Sequence, residues 1–277
     1  MKTIILLIIF FSYSIFSLPV AVIHGFYDSC ENSFFSTLIK VLKYNVYDFA
    51  VCLKTGEGSD SLSLSFEEQC QKACEEIKKY PQFKNDFSIL SISQGGLIAR
   101  YLIQKCNMEG NVKKLVSLGG PMMGTSKVPF CLEGVVCFII NSLVDYFVYN
   151  KNIQNSVGPA GYYRTAGHID DFKKSNSILY RLNNPSEKEK NKFKNLTNLV
   201  LIGFDDDKMI SPKETAEFGI FDENYNVLKM RETDEYKNDV FGLKYLDENG
   251  RVKIVYLKGG HLNFDFDDVV KYVVNDL

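Results

Sequence analysis

The chain has 277 residues, 45% of them hydrophobic, and a net charge of −2 at pH 7. This apolar content is enough to fill the core of one large domain or two small ones, which excludes a disordered chain. Because Lys and Arg are scattered and the chain is slightly acidic, it lacks the basic field that nucleic acid would need. We therefore expect a globular protein without a nucleic-acid partner.

The first residues have the pattern of a secretory signal peptide. A short positive start at Lys2 is followed by an apolar stretch that ends at Phe11, and the hydrophobicity relaxes towards Ser17. We expect residues 1–17 to be removed in the secretory route. A membrane anchor is the weaker alternative, because a spanning helix needs about 20 apolar residues and Pro19 comes too soon.

From residue 19 onward, short apolar runs alternate with longer segments of helical period. This alternation is typical of an α/β protein with a mainly parallel sheet flanked by helices, whose buried strands read as continuous apolar runs. The predicted strands are Val20 to Ile23, Val46 to Leu53, Phe87 to Ile92, Lys114 to Leu118, Leu199 to Gly203 and Val252 to Leu257. The predicted helices are Phe34 to Leu42, Ser65 to Lys79, Gly95 to Cys106 and Asp267 to Val274.

The alternation stops between Gly124 and Asn195, where the sequence is helical and rich in loops. We interpret this stretch as an insertion that covers the carboxyl edge of the sheet. The sequence Asn195-Leu196-Thr197 is a sequon, so Asn195 is a candidate for N-glycosylation. No linker divides the chain into separate domains.

The chain contains seven cysteines, which in a secreted protein are candidates for disulfides. The odd number leaves at least one cysteine over. Cys131 and Cys137 bracket a short loop, and Cys70 and Cys74 lie one helical turn apart. The sequence alone does not fix the pairing.

Ser93 lies in a stretch close to the G-x-S-x-G pattern of a nucleophile elbow. The segment Ser91-Ile92-Ser93-Gln94-Gly95 follows a predicted strand and opens a predicted helix, which is the context that an elbow needs. Ser91 replaces the first glycine, a departure that adds one small side chain to a crowded turn. The alternative is an incidental serine in an ordinary strand-turn-helix unit, so the decision depends on partner residues.

A serine nucleophile needs a base, and His261 is the best-placed of the three histidines. It follows the last predicted strand near the chain end, where an α/β-hydrolase places its base. His24 also follows a strand, but we interpret it as structural support for its loop. His168 is expected on the surface of the insertion.

The third member of such a site is a carboxylate after the preceding strand. Asp205, Asp206 and Asp207 follow that strand directly, and the chain order Ser, Asp, His matches the hydrolase fold. One of them would orient the imidazole and stabilise its charged form, although spacing alone does not decide which. A calcium site is the weaker alternative, because the cluster lacks the alternating oxygen ligands and the glycine of a calcium loop.

An oxyanion hole is predicted where the first strand ends at His24-Gly25-Phe26. The backbone N–H of Phe26 can face the nucleophile there, together with the backbone N–H of Gln94. The chain contains neither a complete nucleotide fingerprint nor the Cys/His spacing of a metal site. We therefore expect no cofactor and no metal.

Together these motifs resemble the palmitoyl-protein thioesterases over nearly all of the mature chain. The resemblance is carried by the segments His24 to Cys30, Ser93 to Gly96, Ser117 to Gly124 and Gly259 to Leu262, and by one long stretch that runs from Val200 through Phe218 to Asp222 and on to Phe241 to Lys244. The segments Leu199 to Pro212 and Phe241 to Lys244, with the missing elbow glycine, look closer to the second, type-two branch of the family.

The resemblance implies an α/β-hydrolase in which Ser93 is the nucleophile, His261 the base and Asp207 the orienting carboxylate, with the adjacent Asp206 as the alternative. It also implies a lysosomal protein in which an inserted lid, about residues 125–198, shapes an acyl-chain groove. The groove candidates are Phe138, Ile139, Leu143 and Phe147. By resemblance to the first branch, Cys74 would pair with Cys106 and Cys131 with Cys137, leaving Cys30, Cys52 and Cys70 unassigned.

The expected activity is hydrolysis of fatty acyl thioesters, either S-acylated proteins or acyl-CoA, through an acyl-enzyme intermediate. A lipase or carboxylesterase of the same fold is one alternative, since the same residues serve oxygen esters. A lipid-binding protein with an inactive site is another, suggested by Ser91 and by the apolar insertion. The expected location is lysosomal or secreted.

Overall fold

Eight strands build the sheets of this protein, seen in a computed structural model that describes residues 18–45, 49–128 and 135–277. The strands are β1 (Val20–Ile23), β2 (Ala50–Leu53), β3 (Phe87–Ile92), β4 (Val112–Leu118), β5 (Asn198–Phe204), β6 (Ile220–Phe221), β7 (Val227–Leu228) and β8 (Val252–Leu257). Six of them form the central sheet in the order β2-β1-β3-β4-β5-β8, and every pair in it is parallel. β6 and β7 form a separate antiparallel hairpin.

β1, β3 and β5 are mostly apolar strands that are buried on both faces of the sheet. Along β5, Leu199 and Leu201 pack on one face, whereas Val200 and Ile202 pack on the other. This division follows from the alternation of side chains along a strand. A strand with helices on both faces therefore has no polar side, which is why these segments read as continuous hydrophobic stretches.

Helices cover both faces of the sheet. They are α1 (Ser33–Asn45), α2 (Asp60–Ser63), α3 (Phe66–Ile77), α4 (Gly95–Gln104), α5 (Val135–Phe147), α6 (Lys151–Gln154), α7 (Ile169–Ser175), α8 (Ile178–Asn183), α9 (Glu187–Lys194), α10 (Asp234–Lys237), α11 (Leu243–Glu248) and α12 (Phe266–Tyr272). Phe35 of α1 and Val269 of α12 pack on one face, and Leu97 of α4 and Phe193 of α9 on the other. None of the helices in the described ranges combines the length and the apolar content that a membrane crossing requires.

The fold class expected from the sequence, a mainly parallel sheet flanked by helices, is confirmed. Three predicted strands, β1, β3 and β8, have the expected bounds. β2 begins at Ala50 rather than at residue 46, and residues 46–48 lie outside the described part of the chain. The β6–β7 hairpin was not expected, because each of its strands has only two residues and shows no period. The predicted signal peptide, residues 1–17, also lies outside the described ranges.

The stretch between β4 and β5 contains α5 to α9, and Arg100 ties it to α4. The Arg100 guanidinium is fully buried and donates to the carbonyl oxygens of Met122 and Leu182, at 2.5 and 3.2 Å, and to Asn183 Oδ1 at 3.1 Å. The guanidinium carbon Cζ of Arg100 lies 4.8 Å from the centre of the Phe241 ring, a cation–π contact. Burial lowers the pKa of Arg100 to about 9, which leaves it protonated at neutral pH.

Two disulfides close loops in the described part of the chain. One joins Cys74 of α3 to Cys106 after α4, the pair that the family resemblance implies, and the other joins Cys30 to Cys52 of β2. Their sequence separations are 32 and 22 residues. In the chain-entropy description, loops of this length stabilise a fold by about 3–4 kcal/mol each. Cys70 is a buried free thiol, and burial raises its pKa well above the ordinary value.

Candidate active site

Ser93 lies in the tight turn between β3 and α4. Its φ of 51° is in the left-handed region, an uncommon conformation for a residue other than glycine and the one that a nucleophile elbow imposes. Gly95 makes the turn possible, because a Cβ at that position would lie 2.6 Å from the carbonyl oxygen of Ile23 and 2.7 Å from that of His24. The first turn of α4 therefore packs directly on the end of β1.

Ser91, which stands in place of the first elbow glycine, fits inside the sheet. It is fully buried, and its hydroxyl donates to the carbonyl oxygen of Val116 on the neighbouring strand β4 at 3.3 Å. A buried hydroxyl with a hydrogen-bond partner costs little, whereas a larger side chain would need space that this position lacks. The hydrogen bond explains how a serine is accommodated there.

The structure brings Ser93, His261 and Asp207 together in one hydrogen-bonded chain. His261 Nε2 lies 2.9 Å from Ser93 Oγ, and His261 Nδ1 lies 2.6 Å from Asp207 Oδ2. Because a carboxylate can only accept, Nδ1 carries the ring proton and Nε2 is left to accept the serine hydroxyl. The Asp207 side chain is 1% exposed and that of His261 is 9% exposed. This arrangement can activate a serine as a nucleophile.

The three neighbouring aspartates have different positions. Asp207 Oδ1 accepts the backbone N–H groups of Met209 and Ile210, at 2.8 and 3.3 Å, so both oxygens of its carboxylate are bound. Asp205 Oδ1 accepts the N–H of Gly259, which holds the turn that leads to His261. Asp206 instead lies at the surface, 3.6 Å from the Lys208 ammonium. Only one of the three carboxylates therefore contacts the imidazole.

The loop that contains Phe26 packs directly against Ser93. A Cβ at Gly25 would lie 3.1 Å from Ser93 Cβ, so the absence of a side chain allows the close approach. Neither the N–H of Phe26 nor that of Gln94 donates to a group in the described ranges. For Gln94 this follows from its position at the start of α4, where the first N–H groups have no partner inside the helix. Both N–H groups therefore lack an acceptor among the described residues.

His24 supports this loop, as the sequence predicts. It is 1% exposed; Nδ1 lies 2.9 Å from the Gly25 carbonyl oxygen and Nε2 lies 3.2 Å from Thr55 Oγ1. Its ring also lies near Cys30 and Glu57, and these three are the one grouping in the described ranges with the spacing of a metal site. Cys30 is bonded to Cys52, however, so it offers no thiolate. His168 is a half-buried residue of the insertion, beside Asp171.

The groove candidates lie on α5, mostly facing outward. Ile139, Leu143 and Phe147 are 53%, 56% and 52% exposed, and their spacing of four residues puts them on one side of the helix. The side chain of Phe138 lies outside the described residues, as do Cys131 and the side chain of Cys137. The expected surface is therefore an open apolar face of the insertion.

Asn195 is exposed at the end of α9, where a glycan would be accessible. Sequence reasoning missed two features around the site. The Cys30–Cys52 disulfide, which joins the loop after β1 to β2, had no spacing signal. Gln69 and Tyr162 contact the side chain of Gln94, yet isolated polar residues of this kind give no pattern in a single sequence.

Comparison with known proteins gives consistent matches over most of the chain. A family model described as palmitoyl protein thioesterase matches residues 19–261. Palmitoyl-protein thioesterase 1 of Caenorhabditis elegans is 30% identical over 269 residues, which cover 92% of this chain and 90% of that protein. Lysosomal thioesterase PPT2 of Homo sapiens is 30% identical over 244 residues, which cover 84% and 78%. Since both are 30% identical, identity does not assign the chain to one branch.

The fold is also found among solved structures of low sequence identity. An extracellular alpha/beta-hydrolase from a Paenibacillus species superposes with a TM-score of 0.50 at 13% identity, covering 94% of this chain and 98% of that one. At this identity the likeness concerns the fold alone. The family model and the thioesterase relatives go further, because they match the sequence along nearly its whole described length. The chain belongs to the palmitoyl-protein thioesterase family.

Proposed function

We propose that this protein is a serine hydrolase that cleaves fatty acyl thioesters, with Ser93 as nucleophile, His261 as base and Asp207 as the carboxylate that orients it. The observation that carries the proposal is the hydrogen-bonded chain from Ser93 Oγ through His261 to Asp207. Membership of a thioesterase family supports the reaction class. The hydrogen-bonded serine, histidine and aspartate are groups that could perform this reaction.

The first half of the reaction transfers the acyl group to the enzyme. Ser93 Oγ attacks the thioester carbonyl carbon while His261 Nε2 takes the hydroxyl proton, and the Phe26 and Gln94 N–H groups stabilise the negative oxygen. The carbon–sulfur bond then breaks as His261 returns the proton to the leaving sulfur. The products are a free thiol and an acyl ester on Ser93.

The second half releases the fatty acid. A water molecule loses a proton to His261 and attacks the acyl carbon, after which the bond to Ser93 Oγ breaks and His261 returns the proton to that oxygen. Asp207 stays ionised in both halves and stabilises the imidazolium. The same residues would cleave an oxygen ester, so substrate preference must be measured.

The acyl chain is proposed to lie along the exposed apolar face of α5, formed by Ile139, Leu143 and Phe147. Phe138 belongs to the same proposal through its position on this helix. Each buried methylene contributes about 0.8 kcal/mol, so contact with this face would favour long chains. S-acylated proteins and acyl-CoA both present such a chain.

The proposed location is lysosomal or secreted. The two disulfides require an oxidising compartment, which the secretory route provides and the cytosol does not. Relatives named lysosomal thioesterase support the lysosome as one destination. The signal peptide at residues 1–17, cleaved near Ser17, and the glycan at Asn195 belong to this proposal.

The test compares acyl-CoA thioesters of short to long chain with matched oxygen esters. Ser93→Ala should reduce turnover by at least about 10⁴-fold, because the nucleophile is lost. Ser88→Ala is the matched control, since Ser88 is a buried serine of β3, the strand that leads into the Ser93 turn, and its hydroxyl has no hydrogen-bond partner in the described ranges. Turnover of oxygen esters alone would make the protein a lipase or carboxylesterase. Turnover retained by Ser93→Ala would refute the mechanism.

A further inference from the structure

A buried chain of polar side chains runs behind the proposed oxyanion hole. Tyr162 OH donates to Gln94 Oε1 at 2.8 Å, and Gln94 Nε2 donates to Gln69 Oε1 at 2.7 Å. Gln69 Nε2 then donates to the carbonyl oxygens of Ser61 and Leu64, at 2.9 and 3.0 Å. Gln69 is fully buried, and Gln94 and Tyr162 are nearly so. These side chains are separate from the hydrogen-bonded chain of Ser93, His261 and Asp207.

The carbonyl oxygens of Ser61 and Leu64 determine which atom donates and which accepts in every hydrogen bond among these side chains. The carbonyl oxygens of Ser61 and Leu64 can only accept, so the Gln69 atom facing them is the amide nitrogen. Its oxygen must therefore face Gln94, which fixes the Gln94 amide in turn. The remaining Gln94 oxygen accepts from Tyr162, whose hydroxyl can donate. One orientation of Gln69 thus fixes the orientation of all three side chains.

The same chain reaches the second proposed oxyanion donor. Ser61 Oγ accepts the backbone N–H of Tyr27 at 2.7 Å and donates to the Gly58 carbonyl oxygen at 2.7 Å. Tyr27 follows Phe26 directly, so this bond holds the peptide next to the Phe26 donor. Gln69 therefore connects the Gln94 residue on one side with the Phe26 loop, through Ser61, on the other.

Two glycines enclose the Gln69 amide. A Cβ at Gly158 would lie 2.4 Å from Gln69 Nε2 and 2.2 Å from the Ser61 carbonyl oxygen. A Cβ at Gly56 would lie 2.9 Å from Gln69 Cγ. The Gly158 backbone and Tyr162 belong to one 3₁₀ segment of the insertion, Gly158–Tyr162. The insertion therefore contacts the Gln69 amide through Gly158 and the Gln94 amide through Tyr162.

We propose that Gln69 is a positioning residue that keeps the Phe26 and Gln94 N–H groups at the correct separation for a tetrahedral oxyanion. The inference rests on the proposed function, because the oxyanion forms only if Ser93 attacks a carbonyl. Donors act when they lie about 2.7–3.1 Å from the developing charge, so small displacements of either one reduce the rate. The role needs an uncharged side chain that both donates and accepts, as an amide does.

The first test replaces Gln69 by methionine, which keeps the length of the side chain and removes its hydrogen bonds. We expect Gln69→Met to lower kcat about 10- to 100-fold, less than deletion of one oxyanion donor, while KM changes less than about threefold. Rates are expressed per active site, counted by stoichiometric labelling with a fluorophosphonate. This normalisation separates a slower site from a smaller folded fraction.

The control is Gln104→Met. Gln104 is also a fully buried glutamine, at the end of the helix α4 that follows the elbow, but its Nε2 donates to the Leu182 carbonyl oxygen and not towards the oxyanion loop. Gln104→Met should leave kcat per active site within about twofold of wild type. A comparable loss of kcat in both variants would mean that any disturbed amide in this core slows the enzyme, which would overturn the proposal.

A fatty aldehyde tests the oxyanion directly, because it forms a tetrahedral adduct with Ser93. Its affinity should fall in Gln69→Met by the same factor as kcat/KM, as expected for an interaction made in the transition state. A purely structural residue would lower thermal stability without this correlation. Unchanged aldehyde affinity and unchanged kcat would contradict the positioning role.

Gln69→Glu adds a pH readout. A protonated glutamic acid can donate to one carbonyl oxygen and accept from Gln94, whereas the carboxylate would face the Ser61 and Leu64 carbonyl oxygens without a proton. Because burial raises the pKa of a carboxyl, the variant should regain activity relative to wild type as the pH falls through that pKa. A constant ratio of the two activities from pH 4 to 8 would count against the proposal.

If the Gln69 variants do not fold, Tyr162→Phe tests the positioning role instead. It removes one oxygen atom and leaves Gln94 Oε1 without its donor, and we expect kcat to fall about three- to tenfold. Unchanged kcat in this variant would refute the chain of positioning contacts. If Ser93→Ala abolishes turnover while these variants act like wild type, the inference fails and the proposed function stands. If Ser93→Ala retains turnover, the proposed function itself fails.

Discussion

Asp207 differs from its neighbours in how its carboxylate is bound. Oδ2 accepts from His261, and Oδ1 accepts from the N–H groups of Met209 and Ile210. These backbone donors hold the carboxylate in the orientation in which Oδ2 faces the imidazole. Asp206, one residue away, is 67% exposed and contacts Lys208 instead. The geometry therefore supports Asp207 as the orienting carboxylate.

Asp207→Asn should lower kcat about 10³-fold or more, with little change in KM. The amide keeps the shape of the side chain, but it favours the wrong histidine tautomer and cannot stabilise the imidazolium. Steady-state hydrolysis of an acyl-CoA by Asp207→Asn and Asp206→Asn measures the contrast, since Asp206→Asn should stay within about twofold of wild type. A larger loss in Asp206→Asn than in Asp207→Asn would reverse the assignment.

Part of this site could be predicted from single residues. Ser93 and His261 were identifiable because each follows a strand and lies at the carboxyl edge of a parallel sheet, where such strands bring their ends together. The sequence alone does not decide between Asp206 and Asp207, because the choice depends on which carboxylate the turn after β5 points inward. Gln69 carried no signal at all, since its partners lie 25 and 8 residues away along the chain.

At the scale of elements, the continuous apolar strands were the most predictable part of the fold. β1, β3 and β8 have the expected bounds because their ends are marked by polar residues and turns. Helix ends were less predictable, since α3 stops at Ile77 and α4 at Gln104, each two residues before the expected end. The last turn of a helix depends on packing and hydrogen bonds that the hydrophobic period does not encode.

α5 has an unusual distribution of polar and apolar residues. Its one carboxylate, Asp145, lies inward beside Tyr163, Thr165 and His168, whereas large apolar side chains face outward. A helix of a globular protein normally directs its apolar side to the core. The outward apolar residues are Val136, Ile139, Ile140, Leu143, Tyr146 and Phe147. This outward face is the one along which the acyl chain is proposed to lie.

Replacing Ile139, Leu143 and Phe147 together by serine should weaken the preference for long acyl chains. If each methylene that contacts this face contributes about 0.8 kcal/mol, kcat/KM rises by up to about fourfold per methylene in wild type, and the rise should flatten in the variant. Hydrolysis of a series of acyl-CoA thioesters measures the slope.

The control for this variant is Tyr44→Ser, at an apolar residue of α1 that is 91% exposed. It should leave the dependence on chain length unchanged. An equal slope in wild type and in the triple variant would show that the α5 face does not contact the acyl chain. A lower rate for all chain lengths alike would point to a general disturbance of the insertion.

For the whole molecule, the contacts between the insertion and the catalytic core are polar as well as apolar. Arg100 and the Gln69–Gln94–Tyr162 chain both cross this boundary through buried hydrogen bonds. A buried polar group that loses its partner costs more than an ordinary hydrogen bond contributes, so these contacts specify one arrangement of the insertion. Such long-range pairs are absent from the local pattern of the sequence, which is why the sequence predicts a helical, loop-rich insertion but not the contacts that fix its position.

Two carboxylates make the stability of this molecule depend on pH in opposite directions. Burial raises the pKa of the Asp145 carboxyl, and this effect exceeds the opposing influence of Tyr163, Thr165 and His168. Hydrogen bonds from Arg231, with a further one from Tyr236, lower the pKa of the Asp247 carboxyl despite its partial burial. Asp145 therefore favours the folded state when it is protonated, and Asp247 does so when it is ionised.

The sign of each effect follows from proton linkage. For Asp145, the folded chain binds the proton more tightly than the unfolded chain, so the free energy of unfolding decreases as the pH rises from about 3.9 through the raised pKa. For Asp247, the stabilising contribution is complete above about pH 3.9 and is lost as the pH falls through the lowered pKa. Asparagine removes the titration at either position.

Asp145→Asn should therefore gain stability relative to wild type between pH 4 and pH 7, whereas Asp247→Asn should lose stability relative to wild type as the pH rises from about 3 to 5. The size of each change scales with the shift in the pKa of the carboxyl between the folded and the unfolded chain. Urea unfolding of the three proteins at pH 3, 4, 5.5 and 7 measures both. Asp145→Asn falling relative to wild type over this range would show that its carboxylate is stabilised in the folded insertion, and that α5 buries a favourable charge.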